Sequence, residues 1–345
     1  MLENRRVLLL TDGHLGVFTS KTATCILRYR PRDVVALLDR HEAGRDPADL
    51  VGVGRGIPIV GSVAEAMRYQ PRSLLIGIAP AGGALPHDWR QFIREAIQRG
   101  LDIISGLHLM LADDPEFGPL ARDHGVTIHD VRRPPDAIPL GANLARTLPC
   151  KRILTVGADC AIGKMLVAVE LAHALARRGR DARFIATGQT GIMISGYGTA
   201  IDRVISDFVP GAVEQMLVEN KHHQVLVVEG QGTLIEPAYS GVTLGLMHGC
   251  APHGMIFCHQ PTRTRLRHHP EVPILPLPEF IALYERLMAP LFPSRVIGLA
   301  LNCVDLSDAA ARDAMAQAEA DTGLPATDVI RFGPDKLAQA IEALL

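Results

Sequence analysis

Apolar residues are gathered into short runs of strand length, and stretches of helical character separate them. Over the first part of the chain the runs fall at 7–10, 34–38, 57–60, 74–78, 101–105 and 126–128, with helices predicted over 21–30, 62–69, 88–99 and 119–124. Such alternation predicts a parallel sheet covered on both faces, because a strand buried on both sides reads as a continuous apolar run. The pattern breaks over 132–149, where Pro134, Pro135, Pro139 and Pro149 lie among polar residues. It then resumes with strands predicted over 153–156, 182–186, 225–229, 255–258, 296–301 and 328–332. Helices are predicted from Lys164 onward and over 212–219, 278–291, 307–322 and 335–345. The expected fold is α/β in two domains. A Rossmann-like parallel sheet over 1–135 leads through a linker at 136–149 to a second, P-loop NTPase-like parallel sheet over 150–345.

The stretch 153–165 carries the sharpest chemistry. The apolar run that begins at Ile153 leads into Gly157-Ala-Asp159-Cys160-Ala161-Ile162-Gly163-Lys164-Met165, and Leu166, Val169, Leu171 and Leu175 then recur at helical spacing. Strand, glycine-bearing turn and helix start form a phosphate cradle: backbone N–H groups and the positive end of the helix face an anion, and a lysine adds a point charge. In a loop that transfers a nucleotide phosphate the residue after the lysine is Ser or Thr, whose hydroxyl binds Mg²⁺. Here it is Met165, which cannot ligate a hard cation, and the glycine spacing is one residue longer than the strict pattern.

Other candidates follow the later strands. Glu229 is expected at the end of a strand beside the loop, and Gly230 and Gly232 flank Gln231, so backbone could approach a ligand there. Residues 187–198 are read as a second glycine-rich loop, offering Gln189, Thr190 and Gly191 to a polar ligand, with Asp202 and Asp207 close behind. Of the histidines over 248–259, His248 and His259 are retained, and the zinc spacing of two close pairs is absent. Arg263 and Arg265 could clamp a carboxylate or a phosphate. In the first domain, the loop that contains Gly13 and Gly16 is not the dinucleotide fingerprint, and Asp39 ends the second strand where such folds place a ribose-binding acid.

A net charge of −2 gives no reason to expect a nucleic-acid or anionic-membrane partner, and no apolar run is long enough to span a bilayer. The start at Met1 shows no secretory pattern. Six scattered cysteines read as reduced thiols, so the expected compartment is the cytoplasm.

The loop from Gly157 to Lys164 resembles that of dethiobiotin synthetase, and Glu229-Gly-Gln-Gly232 resembles that enzyme's Glu-Gly-Ala-Gly turn. Leu301-Asn302 is similar to its adenine-contacting asparagine. The whole chain resembles a family long catalogued without a function, which joins a Rossmann-like N-terminal domain to a dethiobiotin-synthetase-like P-loop domain. The matching segments are Lys21-Thr-Ala23, 77–83, Gly106-Leu-His108, Asp130-Val-Arg132, 157–165, Gly188-Gln-Thr-Gly191 and 229–232. Some members are D-glutamate N-acetyltransferases acting ahead of a racemising enzyme. The resemblance implies acetyl-CoA as co-substrate on Gly157, Asp159, Cys160, Ala161, Ile162, Gly163, Lys164 and Met165, with Asn302 at the adenine. It implies Glu229, Asp159 or His248 in catalysis, and an amino acid bound by Gln189, Thr190, Gly191, Gln231, Arg263, Lys21 and Arg132. No metal, nucleic-acid or membrane partner is expected; a homo-oligomer and a functional link to a racemase or epimerase are. A Mg-ATP-dependent ligase or kinase, and a non-catalytic nucleotide-binding protein, are the alternatives.

Overall fold

The computed structural model describes residues 6–17, 19–79 and 83–345. Met1 and its four followers lie outside the described residues, as do Pro80, Ala81 and Gly82 of the segment 77–83. The chain divides into two compact units, Met1–Pro134 with Ile192–Arg203, and Pro135–Gly191 with Val204–Leu345.

Among the described residues, the first unit holds a six-stranded sheet of β1 (Val7–Leu10), β2 (Val34–Leu38), β3 (Ile59–Val60), β4 (Ser73–Ile76), β5 (Asp102–Ser105) and β6 (Ile128–Asp130). The strands are all parallel, in the order β3-β2-β1-β4-β5-β6, which is the doubly wound Rossmann-like order. Its helices are α1 (Lys21–Tyr29), α2 (Pro47–Val51), α3 (Val63–Ala66), α4 (Arg90–Gln98) and α5 (Phe117–Asp123). Leu8, Leu10, Leu74 and Ile76 pack with Trp89, Phe92, Ile93 and Phe117 in one core. The apolar pattern does not announce α2; a cap does, since Asp46 accepts from the N–H of Ala48 and Pro47 opens the helix.

The second unit is built on β7 (Lys151–Gly157), β8 (Ala182–Ile185), β9 (Val225–Val228), β10 (Gly254–His259), β11 (Arg295–Leu301) and β12 (Ala326–Thr327). These strands are also all parallel, in the order β12-β11-β10-β7-β9-β8, a P-loop NTPase-like sheet. The helices are α6 (Lys164–Arg177), α7 (Gln189–Ser195, of which Ile192–Ser195 count with the first unit), α8 (Val209–Glu219), α9 (Ser240–Cys250), α10 (Leu277–Met288), α11 (Asp308–Thr322) and α12 (Asp335–Glu342). Gly157 of β7 pairs with Cys258 of β10, and Leu154 with Val228 of β9, so the carboxyl ends of the central strands share one edge. That is the edge where open α/β sheets bind ligands.

Two expectations need revising. Residues 328–332 turn instead of extending, because Asp328 accepts from the N–H groups of Ile330 and Arg331. The predicted loop over 187–198 contains α7. Linker residues pack on α8: buried Glu214 accepts from the N–H groups of Ala142 and Leu144. A Cβ on Gly211 would fall 1.8 Å from the carbonyl of Pro139, so only glycine lets the linker cross that helix.

Candidate functional site

The loop after β7 is shaped by close approaches. A Cβ on Gly157 would sit 2.5 Å from the Cys258 carbonyl and 2.7 Å from Ile162, which requires glycine where β7 and β10 run side by side. Gly163 has φ 106°, a left-handed conformation open to glycine, and it caps the fourteen-residue α6. Ala161 is also left-handed, at φ 54°, so the loop concentrates unusual backbone geometry at its crest. Lys164 is buried and donates to the Asp159 carbonyl at 2.7 Å. Ile162 and Met165 are buried apolar residues, and Met165 offers no oxygen.

Asp159 has no exposed side-chain surface, and its carboxylate is fully engaged in bracing the loop. Oδ1 accepts from the N–H of Cys160 at 2.7 Å; Oδ2 accepts from Arg263 Nη1 and from the N–H of Arg267, both at 2.8 Å. Arg263 donates further to the Cys160 carbonyl at 2.8 Å and to Gln260 Oε1 at 2.7 Å. It holds the loop and does not stand open as a substrate clamp. From the other side, Tyr284 on α10 donates to the Gly157 carbonyl at 3.0 Å. Its ring packs against Phe257 and Phe280, and burial pushes its hydroxyl up to about 12.

A second cluster forms at the ends of β8 and β9. Glu229 is buried and accepts from the N–H groups of Thr187 at 3.0 Å and Gly188 at 3.1 Å, immediately before α7. A carboxylate at a helix start offsets the positive end of its dipole, which explains why α7 forms in so glycine-rich a stretch. A Cβ on Gly191 would lie 2.4 Å from Glu229 Oε2, so the first turn of α7 closes directly on that side chain. Gln231 donates to the Thr187 carbonyl, Gln189 is half-buried, and Thr190 is buried. Glu229, Gln189, Thr190, Gly191 and Gln231 therefore come together. Gly230 abuts β7, its N–H donating to Thr155 Oγ1 at 2.9 Å.

Three residues that sequence reasoning passed over complete the edge. Glu236, wholly buried, lies 3.6 Å from Cys160 Sγ and 3.0 Å from His269 Nε2, and Glu271 lies 3.2 Å from His269 Nδ1. Burial, with Glu236 and Asp159 nearby, pushes the Cys160 thiol up to about 11. No motif marks these residues; the only hint is that His269 closely follows the arginines at 263, 265 and 267. Among the described residues, no group of three or more His, Cys, Asp or Glu could hold a metal ion.

The remaining candidates are dispersed. Asn302 follows β11 on the ligand edge, donating its N–H to the His259 carbonyl at 2.8 Å. His259 itself is held neutral by burial, down to about 4, and its Nδ1 has no partner among the described residues. His248 lies near the C-terminal end of α9. Arg152, at the start of β7, donates to the Cys250 and Ala251 carbonyls, so this end of α9 faces the edge opposite the loop. His248 is therefore not brought to the loop with the other candidates. Lys21 and Arg132 belong to the first unit, where Lys21 is exposed at the start of α1. Arg132 is buried, bound to the Gly106 carbonyl and to Asp202, and is not free to clamp a substrate. Asp39 is likewise engaged: it accepts from Thr11 Oγ1 and from the N–H groups of Gly13 and His41.

Comparison with known proteins completes the description. Residues 139–338 match a domain of unknown function, the DUF1611 C-terminal P-loop domain, and residues 40–134 match the DUF1611 N-terminal Rossmann-like domain. A D-glutamate N-acetyltransferase from Tritonibacter scottomollicae is 34% identical over 348 residues, covering 100% of both chains. A protein of the same name from a Pseudoalteromonas species is 36% identical over 80% of this chain and 83% of its own. The crystal structure of a DUF1611 family protein from Anabaena variabilis ATCC 29413 superposes with a TM-score of 0.94 at 43% identity, covering 99% of this chain and 100% of that one.

Proposed function

We propose that this chain, which belongs to the DUF1611 family, is an N-acetyltransferase that moves an acetyl group from acetyl-CoA to the amine of D-glutamate. The observation that carries the reading is the phosphate cradle with buried Met165 after its lysine, set in a chain related over its full length to a D-glutamate N-acetyltransferase. Acetyl-CoA presents a diphosphate that needs N–H donors and a cation, but no phosphoryl group moves, so no metal ion is required to neutralise developing charge. A loop that keeps Gly163 and Lys164 while carrying methionine at 165 suits that task.

In this reading Gly157–Lys164 receive the diphosphate and Asn302 lies toward the adenine. Gln189, Thr190 and Gln231 offer hydrogen bonds to the acceptor. With Arg263 tied to Asp159, the acceptor's carboxylates are left to the exposed Arg265 and Arg267 beside the loop. The product passes to a racemising enzyme. The half-buried Cys160, its thiol pushed up to about 11, is a poor nucleophile, which favours direct attack of the amine over an acetyl-cysteine intermediate.

Incubating the protein with acetyl-CoA and D-glutamate, without ATP or Mg²⁺, tests the reading by mass spectrometry. N-acetylglutamate supports it. ADP formed only after Mg-ATP is added returns the chain to the ligase or kinase class. Silence in both arms leaves nucleotide binding without turnover.

A further inference from the structure

We infer that the Glu236–His269 pair is the proton acceptor of the transfer, His269 taking the proton of the acceptor's ammonium and Glu236 holding the ring. This rests on the acetyltransfer reading above. An amino acid arrives with its amine protonated, and the nitrogen lone pair is released only when a base removes a proton. The carboxylates that the motifs single out are poorly placed for this work. Asp159 is wholly buried, with both oxygens committed to the loop, and Glu229 closes on the start of α7.

Glu236 and His269 are differently placed. Glu236 has 0% side-chain exposure and accepts from the N–H of Ala238 at 3.2 Å and from His269 Nε2 at 3.0 Å. A carboxylate so buried requires a partner, and its demand for a donor assigns a proton to Nε2. Nδ1 faces the acceptor-only carboxylate of Glu271 at 3.2 Å and receives a proton only as that exposed carboxylate turns to the incoming ammonium. The imidazole is 31% exposed, so Nδ1 is reachable. Glu271, 69% exposed and 3.2 Å from Nδ1, makes the same spot favourable to a cation such as an ammonium. Cys160, the middle residue of the cradle, touches Glu236 through its sulfur, which ties the pair to the loop.

The hairpin that carries His269 is fixed as well. Leu266 is buried, its N–H donates to the Val272 carbonyl at 3.1 Å, and the N–H of Val272 donates to the His269 carbonyl at 2.9 Å. The N–H of Arg267 anchors the hairpin to Asp159. A ring held from both sides loses little freedom on engaging substrate.

The step balances as follows. The amine nitrogen forms a bond to the thioester carbonyl carbon and the carbon–sulfur bond breaks. One ammonium proton passes to His269 Nδ1 and on to solvent, and a second ends on the sulfur of CoA.

The test uses the full chain once wild-type turnover with acetyl-CoA and D-glutamate has been measured. His269→Gln and Glu236→Gln should each lower kcat by tenfold or more, with about a hundredfold expected for loss of a general base. Acetyl-CoA affinity, measured by titration, should stay within about threefold of wild type, which also shows that each variant is folded. Added imidazole should restore turnover to His269→Ala. A fall below tenfold in His269→Gln, or no rescue by imidazole, overturns the assignment. Absence of wild-type product removes the acetyltransfer reading itself, so the two failures are distinct.

Discussion

The ammonium of Lys164 donates to the backbone carbonyl of Asp159 at 2.7 Å, so the lysine that opens α6 lies back along the crest of its own loop. An incoming phosphate offers a charged acceptor in place of a neutral one. Lys164→Ala is therefore expected to raise the Kd for acetyl-CoA by about tenfold, roughly 1.4 kcal/mol, in line with loss of one charge-assisted hydrogen bond. Isothermal titration checks this, and unchanged affinity would remove the cradle from the proposed site.

Asp159 and Arg263 form a pair of which the carboxylate is wholly buried and the guanidinium 17% exposed. Removing one member of such a pair strands the other, at a cost of about 3–5 kcal/mol. Arg263→Ala should lower the melting temperature clearly and weaken acetyl-CoA binding through a loosened loop. If instead stability held and only the KM for the amino acid rose, Arg263 would be a substrate ligand after all.

Gly230 permits no side chain, since a Cβ there would lie 1.6 Å from the Thr155 carbonyl. Relief needs β7 and the end of β9 to separate at the centre of the sheet. Gly230→Ala is expected to yield insoluble or unfolded protein. A soluble variant with the wild-type melting temperature would contradict the packing described.

Because Met165 contributes no oxygen ligand, chelation of divalent ions should leave acetyl transfer untouched. Turnover measured with and without EDTA should agree within error. A large fall would point to a metal bound elsewhere in the site.

Stability should decline with acid in a defined window. Burial together with Arg152 and Lys151 holds His253 down to about 4, and burial with Arg263 does the same to His259, from an ordinary value of 6.5. Between these limits the unfolded chain binds more protons than the folded one, so stability falls as pH drops from about 6.5 toward 4. Asp114, lowered to about 2 by Arg90, acts in the same direction only below its ordinary 3.8. Melting curves from pH 7.5 to 4.5 should show the decline, and His253→Asn should flatten it; a curve that stays level in wild type would contradict the burial of both rings.

Much of the second unit was legible because its signals are local. The run from Ile153 to Lys164 joins an apolar strand, two required glycines and a helix start within twelve residues, and it folds as its pattern reads. The helix predicted over 307–322 also forms, as α11, with Ser307 capping it. α7 was not legible, since its glycines argue for a loop and its stabilising carboxylate, Glu229, lies some forty residues away. The placement of His248 was hidden for a related reason. Proximity to Cys250 and His253 in sequence hides the fact that a helix of eleven residues carries it to the far edge of the sheet.

The order of apolar runs by itself determined that both units are parallel α/β sheets, because strand burial and helix amphipathicity are short-range periodicities. The local motif over 157–164 likewise determined the strand, glycine turn and helix start that fold there, and the departure at Met165. Which polar groups remain available was decided by tertiary structure alone. Arg263, Arg132 and Asp39 read as open ligands along the chain, yet each is satisfied by a partner remote in sequence. Glu236 and His269 carry no motif and meet only because the hairpin after β10 folds back against the loop. A buried charge must find its counterpart wherever the fold brings one, and that demand cannot be read from spacing.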